Sequence, residues 1–173
     1  MKNYKIDPAH SDVMFKVRHL LISNVSGKFK IFEGELDRVN DDFSESKVSF
    51  FAKVDSIDTG NDQRDGHLKS PDFFDVEKYP DIRFSSTRFT KDGDDCTISG
   101  DLTIHGVTKN ISLNATFNGE TTDPYGQKKI GFEGRGKISR QDFGLTWSAT
   151  TETGSIVVSD DVKLEFDVQF IQI

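Results

Sequence analysis

The sequence predicts an all-β domain of about eight antiparallel strands, interrupted once by a short helical insert at about residues 61–76. Three observations carry this. Apolar and polar side chains alternate with a period of two along most of the chain, as in a sheet with one buried face. Turn signals such as Asp92-Gly93, His105-Gly106 and Asp123-Pro124-Tyr125-Gly126 separate the alternating runs. The rhythm breaks at length only between Ser56 and Ser86, in SIDTGNDQRDGHLKSPDFFDVEKYPDIRFSS, which is rich in ionisable side chains and carries its own apolar pair, Phe73-Phe74.

Taken in order, Val13, Phe15 and Val17 alternate with Met14, Lys16 and Arg18 in a first strand. A second covers residues 27–36, where Phe32 breaks the parity of Phe29-Lys30-Ile31 and suggests a bulge before Gly34. Val48, Phe50, Ala52 and Val54 mark a third, and Ile82 and Phe84 open a fourth. Ile98, Gly100, Leu102 and Ile104 form the next. The cleanest follows, with Val107, Ile111, Leu113, Ala115 and Phe117 set against Thr108, Asn110, Ser112, Asn114 and Thr116. Ile130, Phe132, Gly134, Gly136 and Ile138 precede a final run of Val162, Leu164, Phe166, Val168 and Phe170.

A half-buried strand set of this size must stack as a sandwich or close as a barrel. Gly100, Gly134 and Gly136 fall on the apolar face, where a missing side chain marks either a cavity or a corner. In the insert, Asn61 or Asp62 is an N-cap for a helix through Leu68. Ser70-Pro71-Asp72 then starts a second helix, with Pro at its first position. Phe73 and Phe74 face the sheet from there, which makes the insert a lid or end-plug. Adjacent helical residues differ by about 100° in direction, so Phe74 is expected to point inward and Phe73 to the rim, or the reverse.

Composition narrows the function classes. The chain has 173 residues, enough for one domain with a substantial core. Twenty-two basic against 29 acidic side chains give a net charge of −7, which argues against nucleic acid or anionic membrane surfaces as partners, but not against a neutral lipid or one anionic group held locally by a few basic residues. No apolar run approaches the roughly 20 residues of a spanning helix, so stable membrane insertion is not expected. The single cysteine, Cys96, rules out an internal disulfide. The start MKNYKIDPAHSDVMF passes straight into strand pattern without an apolar signal segment. The expected location is therefore the cytoplasm, or the periplasm if a leader has been removed. Fifteen residues are Phe against three Tyr and one Trp, which suits a dry interior, because phenyl rings carry no polar atom to satisfy.

The catalytic signals are thin. His10, His19, His67 and His105 fit no zinc spacing, no GxSxG elbow or phosphate loop is present, and Cys96 has no base near it in sequence. On strand parity His19 shares a face with Phe15 and Val17 near one opening. Arg64, His67 and Lys69 place cationic groups on the insert, where they either meet a ligand head group or tie the insert to the rim. In Arg140-Gln141-Asp142-Phe143-Gly144 the Arg–Asp pair reads as holding a turn. An enzyme using His19 or His67 as general base has candidates for the base and none for a nucleophile or metal.

Four segments together are specific: IDPAHSDVMFKVRHLLISNVSGKF, SIDTGNDQRDGHLKSPDFFDVEKYPDIRFSST, GDLTIHGVTKNISL and SRQDFGL. In order and spacing, from about Tyr4 onward, they resemble the YceI family of lipocalin-like, polyisoprenoid-binding proteins. The resemblance implies an eight-stranded antiparallel lipocalin-like barrel, with a tunnel for an isoprenoid chain, a quinone tail or another long amphiphile, capped by HLKSPDFF. The residues expected to line the tunnel are Val13, Phe15, Val17, Phe29, Phe50, Ala52, Phe74, Phe84, Leu102, Ile104, Leu113, Phe132, Phe166 and Val168. His19, Arg64, His67 and Lys69 are expected at the mouth beside the head group. No cofactor or metal is expected beyond the lipid itself. The oligomeric state is left open, a homodimer included, as is a stress-related structural role with an incidental cavity.

Overall fold

The computed structural model describes residues 1–149 and 157–173. Its strands are β1 (Lys2–Ile6), β2 (Asp12–His19), β3 (Ser23–Phe29), β4 (Phe32–Arg38), β5 (Lys47–Lys53), β6 (Ile57–Asp58), β7 (Asp81–Asp92), β8 (Asp95–Ile104), β9 (Val107–Thr122), β10 (Lys128–Ser139) and β11 (Val158–Gln172). One helix, α1 (Asp62–Lys69), lies between β6 and β7. All pairings are antiparallel. Because β1 pairs with both β4 and β11, the strands β1, β4, β5, β7, β8, β9, β10 and β11 close into an eight-stranded barrel. Closure leaves no sheet edge in the ring and settles the choice between sandwich and barrel.

The three remaining strands are continuations. β2 runs on from β1 along the same β11, β3 pairs with β2, and β6 pairs with β3. The break between β1 and β2 is a single helical turn, Pro8–His10, capped by Asp7, whose Oδ1 accepts the Ala9 N–H at 3.1 Å. The parity break at Phe32 is an interruption of the strand, where a bulge was expected. β3 ends at Phe29, β4 begins at Phe32, and both rings point inward while Ile31 is exposed. The neighbouring stave is interrupted at the same height by Val54–Ser56, and the two kinks are bonded together: Ile31 N–H donates to Ser56 Oγ at 3.0 Å and Lys53 N–H to the Ile31 carbonyl at 2.9 Å. Beyond this paired kink the sheet ends at β6, and the insert takes over.

Asn61 caps α1 as expected, its side chain accepting the Arg64 N–H at 2.9 Å. The second helix does not form. After Ser70 the backbone curls back, so that the N–H groups of Phe74, Asp75 and Val76 donate to the carbonyls of Leu68, Ser70 and Lys69. Those carbonyls would otherwise be orphaned at the C-terminus of α1, and the turn satisfies them.

The interior glycines are neither voids nor corners. A Cβ on Gly27 would lie 2.3 Å from the Phe15 ring, one on Gly100 2.5 Å from Phe84, and one on Gly134 2.1 Å from Phe166. Phe15–Gly27 and Phe166–Gly134 are direct cross-strand pairs. Each glycine lets a neighbouring ring lie flat against the sheet, which keeps these phenylalanines at the wall of the barrel and away from its axis.

Candidate functional site

The space these rings leave on the axis is a cavity of about 250 Å³. A cavity of roughly 150 Å³ with walls of this kind stays dry and accepts small apolar molecules. All fourteen side chains expected along the tunnel stand on its wall, from Val13 and Phe15 through Leu102 and Leu113 to Phe166 and Val168. Among the described lining residues only Ser49, Arg140 and Glu165 have polar side chains, and the Glu165 carboxylate turns outward to Lys16 at 3.3 Å. Period-two alternation around a closed ring has this result: every second side chain of every stave points at the same axis.

At the end of the cavity away from α1 stand the rings of Phe89 and Phe132, backed by a residue the sequence pattern did not single out. Phe43, in the β4–β5 loop, is fully buried. Its ring stacks on Phe89 at 5.2 Å and meets Phe117 and Phe132 edge-on at 5.2 and 5.5 Å. The Arg38 guanidinium covers its outer face at 4.4 Å and is held by Glu120 at 2.8 Å. The one signal available was a lone Phe in the polar run Asp41-Asp42-Phe43-Ser44.

The α1 end is closed by the insert and the 144–149 segment. Phe74 is half-buried and meets Phe29 edge-on at 6.5 Å, while Phe73 packs between His67 and Trp147, each at 5.1 Å. Both phenylalanines line the cavity. The expectation that only one would do so rested on helical geometry that this segment does not have.

The basic side chains expected at the mouth are engaged elsewhere, and none of the four lines the cavity. Arg64 donates to the Thr59 hydroxyl and carbonyl at 2.8 and 2.7 Å, beside the buried Asp65, which accepts the Thr59 N–H; the pair ties α1 to the rim. Lys69 faces Asp55 at 3.4 Å, and His67 Nε2 is 2.9 Å from Asp72 Oδ2, on the outer side of the cap. His19 ends β2 opposite Val158.

The cation that does reach the cavity is Arg140, buried at 4% exposure. It does not pair with Asp142 as expected. Its Nε donates to the Ser159 carbonyl at 2.9 Å, Nη1 to those of Leu145 and Trp147 at 2.7 Å each, and Nη2 to that of Val158 at 3.3 Å. Burial draws its pKa below the ordinary guanidinium value, opposed by the nearby Asp160 carboxylate, and an arginine remains charged regardless. Arg140 thus clips the cap segment to the start of β11 and leaves a positive charge at the upper wall of a hydrocarbon cavity.

Comparison with known proteins follows this geometry. The model of the YceI-like domain matches residues 4–170. Protein YceI of Escherichia coli O17:K52:H18 is 40% identical over 172 residues, covering 98% of this chain and 87% of that protein. Among solved structures, Burkholderia cenocepacia BcnA superposes with a TM-score of 0.82 at 22% identity, covering 95% of this chain and 98% of BcnA. A polyisoprenoid binding domain from Saccharophagus degradans superposes with a TM-score of 0.70 at 18% identity, covering 98% of each chain.

Proposed function

The chain belongs to the YceI-like family, and we propose that its barrel binds and sequesters, or carries, one long-chain amphiphilic lipid: a polyisoprenoid, an isoprenoid quinone or a molecule of like shape. The observation that carries this reading is the carbon-walled cavity along the barrel axis, where a protein of this size ordinarily packs side chains to crystal density. The shared fold with a polyisoprenoid binding domain supports the choice of ligand class. The tail lies between Phe43 and Phe74, and the head group sits at the α1 end beside Arg140, the one buried cation on the cavity wall.

Magnitudes decide what such a site selects. Burial contributes roughly 0.8 kcal/mol per CH₂, so one five-carbon isoprene unit brings about 3–4 kcal/mol gross. A few units approach practical affinity limits once association costs are subtracted. Selection among chain lengths therefore comes from the length of the cavity. At about 250 Å³ it is smaller than typical ligand sites of roughly 300–1,000 Å³, so a long tail enters only as the cap and wall rings turn aside.

The protein acts as a binder on this reading: His67 is bonded to Asp72 on the outer side of the cap, and neither it nor His19 is among the described residues that line the cavity. Lipid extraction and mass spectrometry of protein purified without detergent tests the proposal. About one long-chain lipid per chain is expected. Recovery of none sinks the reading in favour of an incidental cavity, and turnover of a polyprenyl phosphate lost in His67→Ala replaces it with an enzyme.

A further inference from the structure

The hairpin joining β2 to β3 has a turn of unusual composition. Leu20 and Leu21 both adopt positive φ, 54° and 62°, and the Ile22 N–H donates to the His19 carbonyl at 3.2 Å. Tight hairpin turns that need this backbone are made by Asn and Gly, because a branched side chain there is strained. The strain is not compensated by burial at the tip: Leu21 is 51% exposed and Ile22 83%. The turn is nonetheless held in place, since Leu20 N–H donates to the Val157 carbonyl at 2.8 Å and Arg18 Nη1 to the Leu21 carbonyl at 3.2 Å.

The flanks of this tip invert the charge of the molecule. The chain carries −7 overall, yet from Val13 to Phe32 it holds Lys16, Arg18, Lys28 and Lys30 and no carboxylate. Strand parity puts Lys16, Arg18 and Lys28 on the outer face, because Val17 and Phe29 line the cavity. Carboxylates reach this face from the neighbouring strands, Glu165 to Lys16 at 3.3 Å and Asp58 to Lys30 at 3.2 Å, and Asp160 and Asp161 stand in the β11 irregularity beside Arg18, where Ser139 and Lys137 respectively engage them. The tip also stands at the α1 end of the barrel: Val17 and Val158, beside the turn, belong to the cavity wall.

We propose that the Leu20-Leu21-Ile22 tip, with its collar of Arg18, Lys16 and Lys28, docks reversibly on an anionic phospholipid surface, setting the α1 end of the cavity against the bilayer. The apolar tip enters the interface and the collar meets the head-group charge, two weak signals that together hold a peripheral protein. Screening over a Debye length of about 8 Å leaves Arg18, at the base of the turn, as the leading charge at the surface, with Lys16 and Lys28 further up the hairpin and the net −7 of the whole molecule both weakened by distance. Docking needs only the hairpin, so it stands or falls separately from what the cavity contains.

Co-sedimentation of the full chain with phosphatidylcholine vesicles, with and without about 30% phosphatidylglycerol, tests the proposal. The expected result is partitioning about tenfold stronger onto the anionic vesicles, weakened by salt, and lost in the double variant Leu21→Asn/Ile22→Ser. Asn suits the left-handed backbone, so that variant should melt no lower than wild type, which separates loss of docking from loss of fold. A second readout is Ile22→Trp, whose emission should move to the blue on anionic vesicles relative to the wild-type Trp147 baseline. Equal partitioning onto both vesicles, full binding by the double variant, or an unshifted Ile22→Trp emission overturns the proposal. So does a wild-type dimer that the double variant converts to monomer without change in vesicle binding, since the tip would then be a contact between copies. Lipid extraction from the same samples reports on the cavity independently.

Discussion

Asp123 shows how one side chain sets a turn and gives it a pH dependence. Its carboxylate accepts the N–H groups of Gln127 and Tyr125 at 2.9 and 2.8 Å and faces Lys129 Nζ at 3.3 Å, closing the β9–β10 loop. The Gln127 N–H foremost, with the Tyr125 N–H and the Lys129 ammonium, holds its pKa below the ordinary carboxylate value. A depressed folded value means that the stabilisation is fully present above the unfolded carboxyl pKa of about 3.9 and is lost as pH falls through the folded one. Asp123→Asn is therefore expected to melt below wild type at pH 7, and the gap should narrow as pH falls below the unfolded carboxyl value and through the lower folded one. A gap that persists unchanged in acid would assign the loop's stability to something other than the carboxylate charge. The turn residues Asp123 to Gly126 were legible as a loop, because turn chemistry is local. Phe43 and the role of Arg140 were not: one is a lone apolar residue in a polar run, and the other, read as the partner of Asp142, is satisfied by four carbonyls 5 to 19 residues away, which no local pattern specifies.

At the scale of elements, alternation placed the wall of the cavity and misjudged its ends. A strand commits every second residue to one face, so thirteen of the fourteen wall positions follow from parity, all but Phe74 of the insert. The insert has no such rule. Its first helix was readable from the Asn61 cap, while the segment after Ser70 answered to the unpaired carbonyls of α1, which only the folded backbone reveals. The charged residues of the insert looked like ligand contacts and serve as ties to Thr59 and Asp55. Two outcomes follow. Gly66 lies inside α1 with open space around the position of a Cβ, so Gly66→Ala should stabilise the protein by about 0.5–1 kcal/mol in denaturant titration. Phe74→Ala separates cap from core. A cap over lipid should give a stable variant with altered lipid retention, whereas a loss of about 3–5 kcal/mol independent of lipid would make Phe74 ordinary packing.

Across the whole molecule, eight staves close on an axis that the side chains do not fill, because interior glycines let Phe15, Phe84 and Phe166 lie against the wall. Seven of the eight staves were readable as alternating runs, while β1, whose pairings with β4 and β11 close the ring, was missed, and the resemblance to a known family supplied the closure that spacing alone left open. The purpose of the glycines was not readable, since a missing side chain looks the same in sequence whether it makes a corner, a void or a seat for a ring. Phe89 and Phe132, backed by Phe43, at one end and Phe74 at the other then bound the space on the axis, and on the proposed reading they limit the length of the tail it takes. Native mass spectrometry of the protein with polyprenyl lipids of increasing chain length tests it most directly. The account predicts one lipid per chain, an upper limit of chain length in wild type, and a higher limit in Phe43→Ala, where the far end is opened. Several lipids per chain, or a limit that Phe43→Ala leaves unchanged, would contradict it.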